Sequence, residues 1–546
     1  MKSLPSAFLA AILPVTGSMA APQARPNIVF IAVDDLRPEL PCYGASHIHA
    51  PNIDRLAARA LTFRRAYVQQ GVCQPSRESL ITGTRPDTTR IYDVFPSSGP
   101  TFRDTLGAIQ TLPEAFKAAG YSTAAFGKIT HHADPRAWDE CDPLYKTENL
   151  YQLPENRALA GDVNRRPPTE AYPDAREAES MDARIATETV RAIRRDAASG
   201  RPFFIAAGFY KPHLPFSAPQ KFWDLYDPND VPVSSGRDAL PVRGLPDANL
   251  HDPYSGELGT YRGGRPPFVK TTDATRAAID SGTFTANTQS GKDYGIITVD
   301  GAHIYPADYA RRLTHGYYAC VSFIDAQIGR ILDALEDPNG DGDRADSILD
   351  KTIIVLWGDN GFHLGDHGSW PKHTNLEIST RCPLLVAAPG RAMGRTTGAL
   401  VEALDIYPTL LDLAGLPHPA THTLEGQSLK PVLDDPALPG KAAAISQYPR
   451  EIPPGSGRWS MGYAMRTPRF TYIQWREMEA DEPLSLAKRN FRITPRVRFE
   501  ELYDNEADPK QNTNLAGEPS HAADLAALRA QFTQALPERT PPEVRK

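Results

Sequence analysis

Five short apolar runs recur along the chain: NIVFIAV (27–33), YSTAAFG (121–127), PFFIAAGF (202–209), TIIVLWG (352–358) and PLLVAA (383–388). Their length and nearly unbroken hydrophobicity predict strands covered on both faces. Between them the period changes. TLPEAFKAAG (111–120) offers Thr111 as a cap, an early Pro113 and a closing Gly120, and YYACVSFIDAQIGRILDALED (317–337) repeats its apolar positions at three and four, which predicts a long amphipathic helix. Strands alternating with helices predict an α/β domain with a large, mostly parallel sheet sandwiched by helices. Towards the C-terminus, AAAISQYPR and RFTYIQW predict short strands and HAADLAALRAQFTQAL a closing helix. This divides the chain into a large unit at 24–438 and a smaller one at 439–546. DPNGDGDRADSI (337–348) opens like an EF-hand loop, but its twelfth position is Ile348 where such loops need a bidentate glutamate, so a polar turn is predicted.

Composition narrows the partners. The chain has 546 residues and a formal net charge of -7, which makes nucleic acid a poor partner. Its first residues carry Lys2, an apolar stretch from about Leu4 to Val15, and small Ser18 and Ala20, the pattern of a secretory signal spanning 1–20. That stretch is too short to span a bilayer and no later segment reads as transmembrane, so the protein is expected to be exported, periplasmic or secreted. The five cysteines, Cys42, Cys73, Cys141, Cys320 and Cys382, are an odd number and show neither a paired framework nor zinc spacing. Cys42, Cys320 and Cys382 have apolar or aromatic neighbours and are expected to be small buried hydrophobes.

Ligands of open α/β sheets collect beyond the carboxyl ends of the strands, so the residues just past each run are informative. Four of the runs deliver polar groups toward one rim: Asp34 and Asp35, Lys128 and His131, Lys211 and His213, and Asp359 and Asn360. Carboxylate and amide oxygens suit a hard cation, calcium or magnesium, flanked by groups that bind anions. Cys73 has a different setting. PSRESLIT (75–82) reads as the opening of a helix, which puts Cys73 at or just before its N-terminus, where backbone N–H groups and Arg77 favour a thiolate or a bound oxyanion.

CQPSRESLITG (73–83) resembles the sulfatase signature, C-x-P-S-R followed by a short helix and T-G. The resemblance extends through RPNIVFIAVDDLRPELPCYGASHIHAPNIDRLAARALTFRRAYVQQGV to RPDTTR, then GFYKPHLPF, WGDNGFHLGDHGSWPKHTNLEISTRCPLLVAAPGR, SQYPR, MGYAMRT and ELYDNEADPKQNTNLA, in the order found in the iduronate-2-sulfatase branch of that family. Relatives in the branch carry Asp-His where this chain has Asp359-Asn360, and residues at roughly 135–195 and 228–305 match weakly.

The resemblance implies that a maturation enzyme oxidises Cys73 to formylglycine. It implies a divalent cation, calcium, held by Asp34, Asp35, Asp359, Asn360 and the modified Cys73. A formylglycine hydrate would attack sulfur in line and its second hydroxyl would then expel sulfate, which an unmodified cysteine cannot do. Arg77 would orient the formylglycine oxyanion and Asp359 would assist proton removal. Lys128, His131, His213 and Lys372 would clamp the sulfate oxygens, with His213 or Lys372 protonating the leaving oxygen. His131 is preferred to His132 from the spacing in GKITHH, while His363, His367 and His373 stay outside the site. The smaller unit would be an antiparallel sheet with a helix. The implied substrate is a sulfated oligosaccharide or polysaccharide, with exo-acting 2-O-desulfation of a uronic acid in the branch, and Arg64, Arg65, Arg90 and Arg450 are candidates for a basic mouth. Two other readings stay open: a phosphate or phosphonate monoester hydrolase of the same fold, and a sulfated-glycan-binding protein in which Cys73 is never converted. Oligomeric state is open as well.

Overall fold

A computed structural model describes residues 25–536 apart from 97, 144–149, 246–256, 282, 284–294, 300–301, 371, 392 and 453–454. The signal expected at 1–20 lies outside the described residues, as do parts of the weakly matching middle region.

The main sheet has nine strands. Across it run 395–402, 61–67, the broken strand 381–382 and 384–387, 352–358, 27–33, 203–209, 122–127 and 140–142. The central strand Asn27–Val33 pairs in parallel with Thr352–Gly358 on one side and Phe203–Phe209 on the other. Its side chains alternate between two cores. Val29, Ile31 and Val33 face one core with the helices Met181–Ser199 and Ala307–Glu336, while Ile28, Phe30 and Ala32 face another with Leu112–Ala118 and Ile406–Ala414. Period-two alternation with both sets apolar is why the run reads as unbroken hydrophobicity, and burial of both faces is what it predicts.

All five predicted strands and both helices form within a residue or two of their predicted ends at most positions, and the Thr111 cap closes as a box with Glu114. The long helix begins earlier, at Ala307. One strand differs in direction: Leu384–Ala387 runs antiparallel to both Thr352–Gly358 and Leu61–Tyr67. Hydrophobicity reports burial and is silent on direction. The smaller sheet is antiparallel, in the order 444–451, 459–466, 470–479, 492–504, with the helix Ala522–Ala535 packed on it through Leu525, Leu528 and Phe532. Residues 337–348 form a polar turn in which Asp337 accepts from the backbone N–H groups of Gly340 and Gly342.

All five cysteines are free thiols. Cys320 and Cys382 are fully buried, whereas Cys42 is only partly buried, because the 3-10 turn at 41–43 lies at the edge of its core. Among the described residues no helix is long and apolar enough to cross a membrane.

Candidate active site

The carboxyl ends of three parallel strands of the main sheet and one helix N-terminus meet at a point. Asp34 extends the central strand, with its N–H donating to Phe209 O, and Asp359 extends the neighbouring strand, with its N–H donating to Val33 O. Lys128 leaves the third strand with its N–H on Gly208 O. That approach depends on two glycines: a Cβ on Gly208 would stand 2.2 Å from Lys128 O, and one on Gly127 would stand 2.2 Å from Gly208 O. Asp35 takes a left-handed conformation at φ 63°, unusual for a residue with a side chain, and is held there by Asp359 Oδ1, which accepts its N–H at 3.0 Å, and by the Tyr317 hydroxyl, which donates to its carbonyl at 2.7 Å.

Cys73 is the first residue of the helix Cys73–Thr82, which is buried throughout. Pro75 sits in the first turn, where its missing N–H costs no helical bond. The Cys73 thiol lies 4.0 Å from Asp35 Oδ1. Burial, reinforced by the Asp34 charge, pushes this thiol well above its ordinary pKa.

Arg77 lies one turn further along the same helix and braces the site from beneath. Its Nε donates to Asp359 Oδ2 at 2.6 Å and Nη2 to Asp34 Oδ1 at 3.3 Å, while Nη1 donates to the carbonyls of Lys128 and Ile129. Lys128 donates to Asp34 Oδ2, and Lys372 to Asp35 Oδ1. Burial works to raise the Asp34 carboxyl, but Lys128 and Arg77 outweigh it and hold the group well below its usual range. Asp35 is raised by burial, and Asp359 is pushed up to about 7 by burial together with the Asp34 charge. Asp34, Asp35 and Asp359 bring ligand oxygens within 4.8 Å of one another. Two buried oxygens at this point, Asp35 Oδ2 and Asn360 Oδ1, have no hydrogen-bond partner, while Asn360 Nδ2 donates to Asp359 Oδ1 at 2.8 Å. Crowded carboxylates with orphaned buried oxygens are a donor set suited to a hard cation.

Above this cluster opens a cavity of about 720 Å³. Cys73, Lys128, His131, His132, His213, Lys372 and His373 lie on its polar side. The rings of His131 and His132 stand edge to face, and burial beside Lys128 pulls His131 down to about 3, so it is a neutral imidazole. His213 places Nδ1 2.7 Å from Leu214 O and Nε2 against the carboxylate of Glu257. Lys211 braces the same loop through the carbonyls of His213 and Pro215. Glu257 also meets Lys372 Nζ at 3.0 Å. Sequence reasoning missed Glu257: it sits in a polar loop in the weakly matching region, and no local pattern marks it.

Other residues have different tasks. His363 bonds Asp366 O and the hydroxyls of Thr374 and Ser379, which stiffens the loop that carries Lys372, and His367 is buried beside it. His373, left outside the sequence-derived site, lines the cavity wall. The four arginines considered for a basic mouth do not line the cavity. Arg64 is exposed, Arg65 donates to Gly398 O and Pro468 O, and Arg90 donates to the carbonyls of Arg489 and Phe491. Arg450 stacks on Tyr448 and donates to His373 O. Arg65, Arg90 and Arg450 are used to join segments, a demand the sequence does not display.

Residues 26–416 match the family model described as "Sulfatase". The chain belongs to the sulfatase family. Residues 365–538 of this sulfatase match the model "N-sulphoglucosamine sulphohydrolase, C-terminal". It is 31% identical to iduronate 2-sulfatase of Mus musculus, over 92% of this chain and 93% of that one, and 29% identical to a sulfatase of Formosa agariphila, over 93% and 86%. In fold it is similar to the phosphonate monoester hydrolase of Agrobacterium radiobacter, at a TM-score of 0.64 and 22% identity, covering 93% of this chain and 95% of that one. The protein is a sulfuric ester hydrolase.

Proposed function

We propose that this sulfatase hydrolyses the 2-O-sulfate ester of a terminal uronic acid on a sulfated oligosaccharide or polysaccharide, using formylglycine made from Cys73 by a maturation enzyme. One observation carries the reading: Cys73 stands at the floor of the cavity, between the Asp34, Asp35 and Asp359 carboxylates and the cations Lys128, His213 and Lys372. The substrate class and exo action rest on the 31% identity to iduronate 2-sulfatase. In this reading 24–438 form the catalytic domain and 439–546 a C-terminal subdomain.

Asp34, Asp35, Asp359 and Asn360, with the modified residue 73, would hold calcium, and the same oxygens accept magnesium. Such a cation supplies Lewis acidity, which lowers the pKa of an oxygen nucleophile and offsets sulfate charge. An aldehyde at position 73 supplies two hydroxyls on hydration, one to attack sulfur and one to release it. Arg77 fixes Asp34 and Asp359 so that their oxygens converge, a positioning role. Lys128, His131 and Lys372 contact the sulfate oxygens, where charge accumulates. His213 protonates the leaving oxygen with the Nε2 proton that Glu257 holds until substrate arrives. Its Nδ1 and Nε2 both face acceptors, so the ring carries two protons, and Glu257, Asp34 and Asp35 raise its pKa against the pull of burial. Lys372, held between Asp35 and Glu257, is raised well above an ordinary lysine and is the weaker acid.

The test is coexpression with a formylglycine-generating enzyme, then mass analysis and assay. The peptide containing residue 73 is expected to lose about 18 Da, sulfur and two hydrogens being replaced by one oxygen. Sulfate release from 2-O-sulfated uronides should fall by about 10^4-fold or more in Cys73→Ala. Full activity in that variant, or faster turnover of aryl phosphate than aryl sulfate, would overturn the proposal.

A further inference from the structure

Glu257 is an anion in a cavity otherwise prepared to receive one. Its carboxylate bridges His213 Nε2 and Lys372 Nζ, the two groups placed nearest the leaving oxygen in the proposed function, on which this inference rests. The bridge satisfies both cations before any sugar arrives. Paired with a histidine and a lysine at once, the Glu257 carboxylate is their shared counter-ion.

Among the described lining residues none is an arginine, and the ammonium of each lysine is engaged: Lys128 with Asp34, Lys211 with two carbonyls, Lys372 with Asp35 and Glu257. Val94, Phe95, Pro96, Trp138, Leu214 and Tyr261 add apolar lining. An anionic substituent brought beside Glu257 meets its carboxylate. A carboxylate with two partners still has lone pairs to accept from a hydroxyl. Two hydrogen-bond lengths, about 5–6 Å, separate Glu257 from an oxygen held by His213, which is the reach of a group on the sugar carbon next to the sulfated one.

We infer that Glu257 is a specificity-determining residue: it accepts a hydrogen bond from a free hydroxyl vicinal to the scissile sulfate and rejects a second sulfate at that carbon. The carboxylate of a uronic acid, carried by C5, is not vicinal to a 2-O-sulfate and is not excluded. Like charges in a partly desolvated site repel strongly enough to decide between such substrates.

The experiment compares a methyl uronide 2-O-sulfate with its 2,3-di-O-sulfate. Calorimetric binding of both to Cys73→Ala, with calcium present, is measured with and without Glu257→Gln and Glu257→Asp. The parent should prefer the monosulfate by about tenfold or more. Glu257→Gln should shrink that ratio by about tenfold, chiefly by tighter binding of the disulfate, and Glu257→Asp should retain part of it. A ratio near one in the parent, or one unchanged by Glu257→Gln, overturns the inference. Calorimetry in the inactive background keeps the answer independent of turnover, and thermal unfolding confirms that each variant is folded. Failure of the unmutated enzyme to desulfate the monosulfate would instead sink the substrate reading.

Discussion

Two clusters of buried charge lie in this sulfatase, and they differ in what they leave unfinished. In the first, Asp34, Asp35 and Asp359 converge with Arg77, Lys128 and Lys372, yet Asp35 Oδ2 and Asn360 Oδ1 remain without partners. In the second, Glu402 and Asp405 meet Arg85 and Lys441. Glu402 accepts from both Arg85 nitrogens, from Lys441 and from Ile445 N, while Asp405 accepts from Lys441, Gln427 N and Glu402 N. Every carboxylate oxygen of the second cluster is satisfied, and the contact with Ile445 joins the main sheet to the C-terminal one. Charge density is common to both. Orphaned oxygens fit the cluster proposed to hold a cation, and complete pairing fits the one that joins the two sheets.

The sharpest way to break that comparison is to neutralise one acid in each. Asp35→Asn should lower sulfate release by about 10^2–10^3-fold with little change in melting temperature when both proteins are compared free of metal, because a crowded, destabilised carboxylate is removed. Glu402→Gln should do the reverse, costing about 3–5 kcal/mol of stability in thermal unfolding while kcat/KM at permissive temperature stays close to the parent value. A large stability loss in the first variant would show that the two clusters do the same work.

Metal removal gives the next effect. Chelation should abolish activity and lower the melting temperature reversibly, with calcium at a hundredfold excess over its Kd restoring about 2.7 kcal/mol. Asp35→Asn should lose this response, and Glu402→Gln should keep it.

Glu78 is an intermediate case: a buried carboxylate held by two neutral donors, Gln74 Nε2 and Phe102 N. Burial pushes it from 4.5 up to about 8. A raised acid favours the folded state fully below its unfolded pKa and loses that contribution as pH climbs through its folded pKa. Stability should therefore decline between pH 4.5 and about 8, and Glu78→Gln should flatten the decline in melting temperature across that window.

The smallest effect concerns the pairing of Asp87 with the hydroxyls of Tyr92 and Tyr463 and with Gln447, which ties RPDTTR to the C-terminal sheet. Tyr463→Phe should cost about 1 kcal/mol in unfolding and leave sulfate release unchanged.

Much of this protein was legible in its sequence because the signals are short-range. A run such as NIVFIAV announces a doubly covered strand through adjacent residues, and C-x-P-S-R with the apolar turn after it announces a helix start with a cysteine at its tip. The strand ends then name Asp34, Asp35, Lys128, His213, Asp359 and Asn360, since an open α/β sheet delivers them to one rim. Tertiary structure decided the rest. It set the antiparallel direction of Leu384–Ala387, turned Arg77, 282 residues from Asp359, into a brace, and tied Arg90 to the segment just before the last strand of the C-terminal sheet. It also brought Glu257 from an unmarked loop onto His213 and Lys372. Periodicity records which faces are dry, but the partner a buried charge takes depends on which distant segment arrives beside it, and only the folded chain settles that.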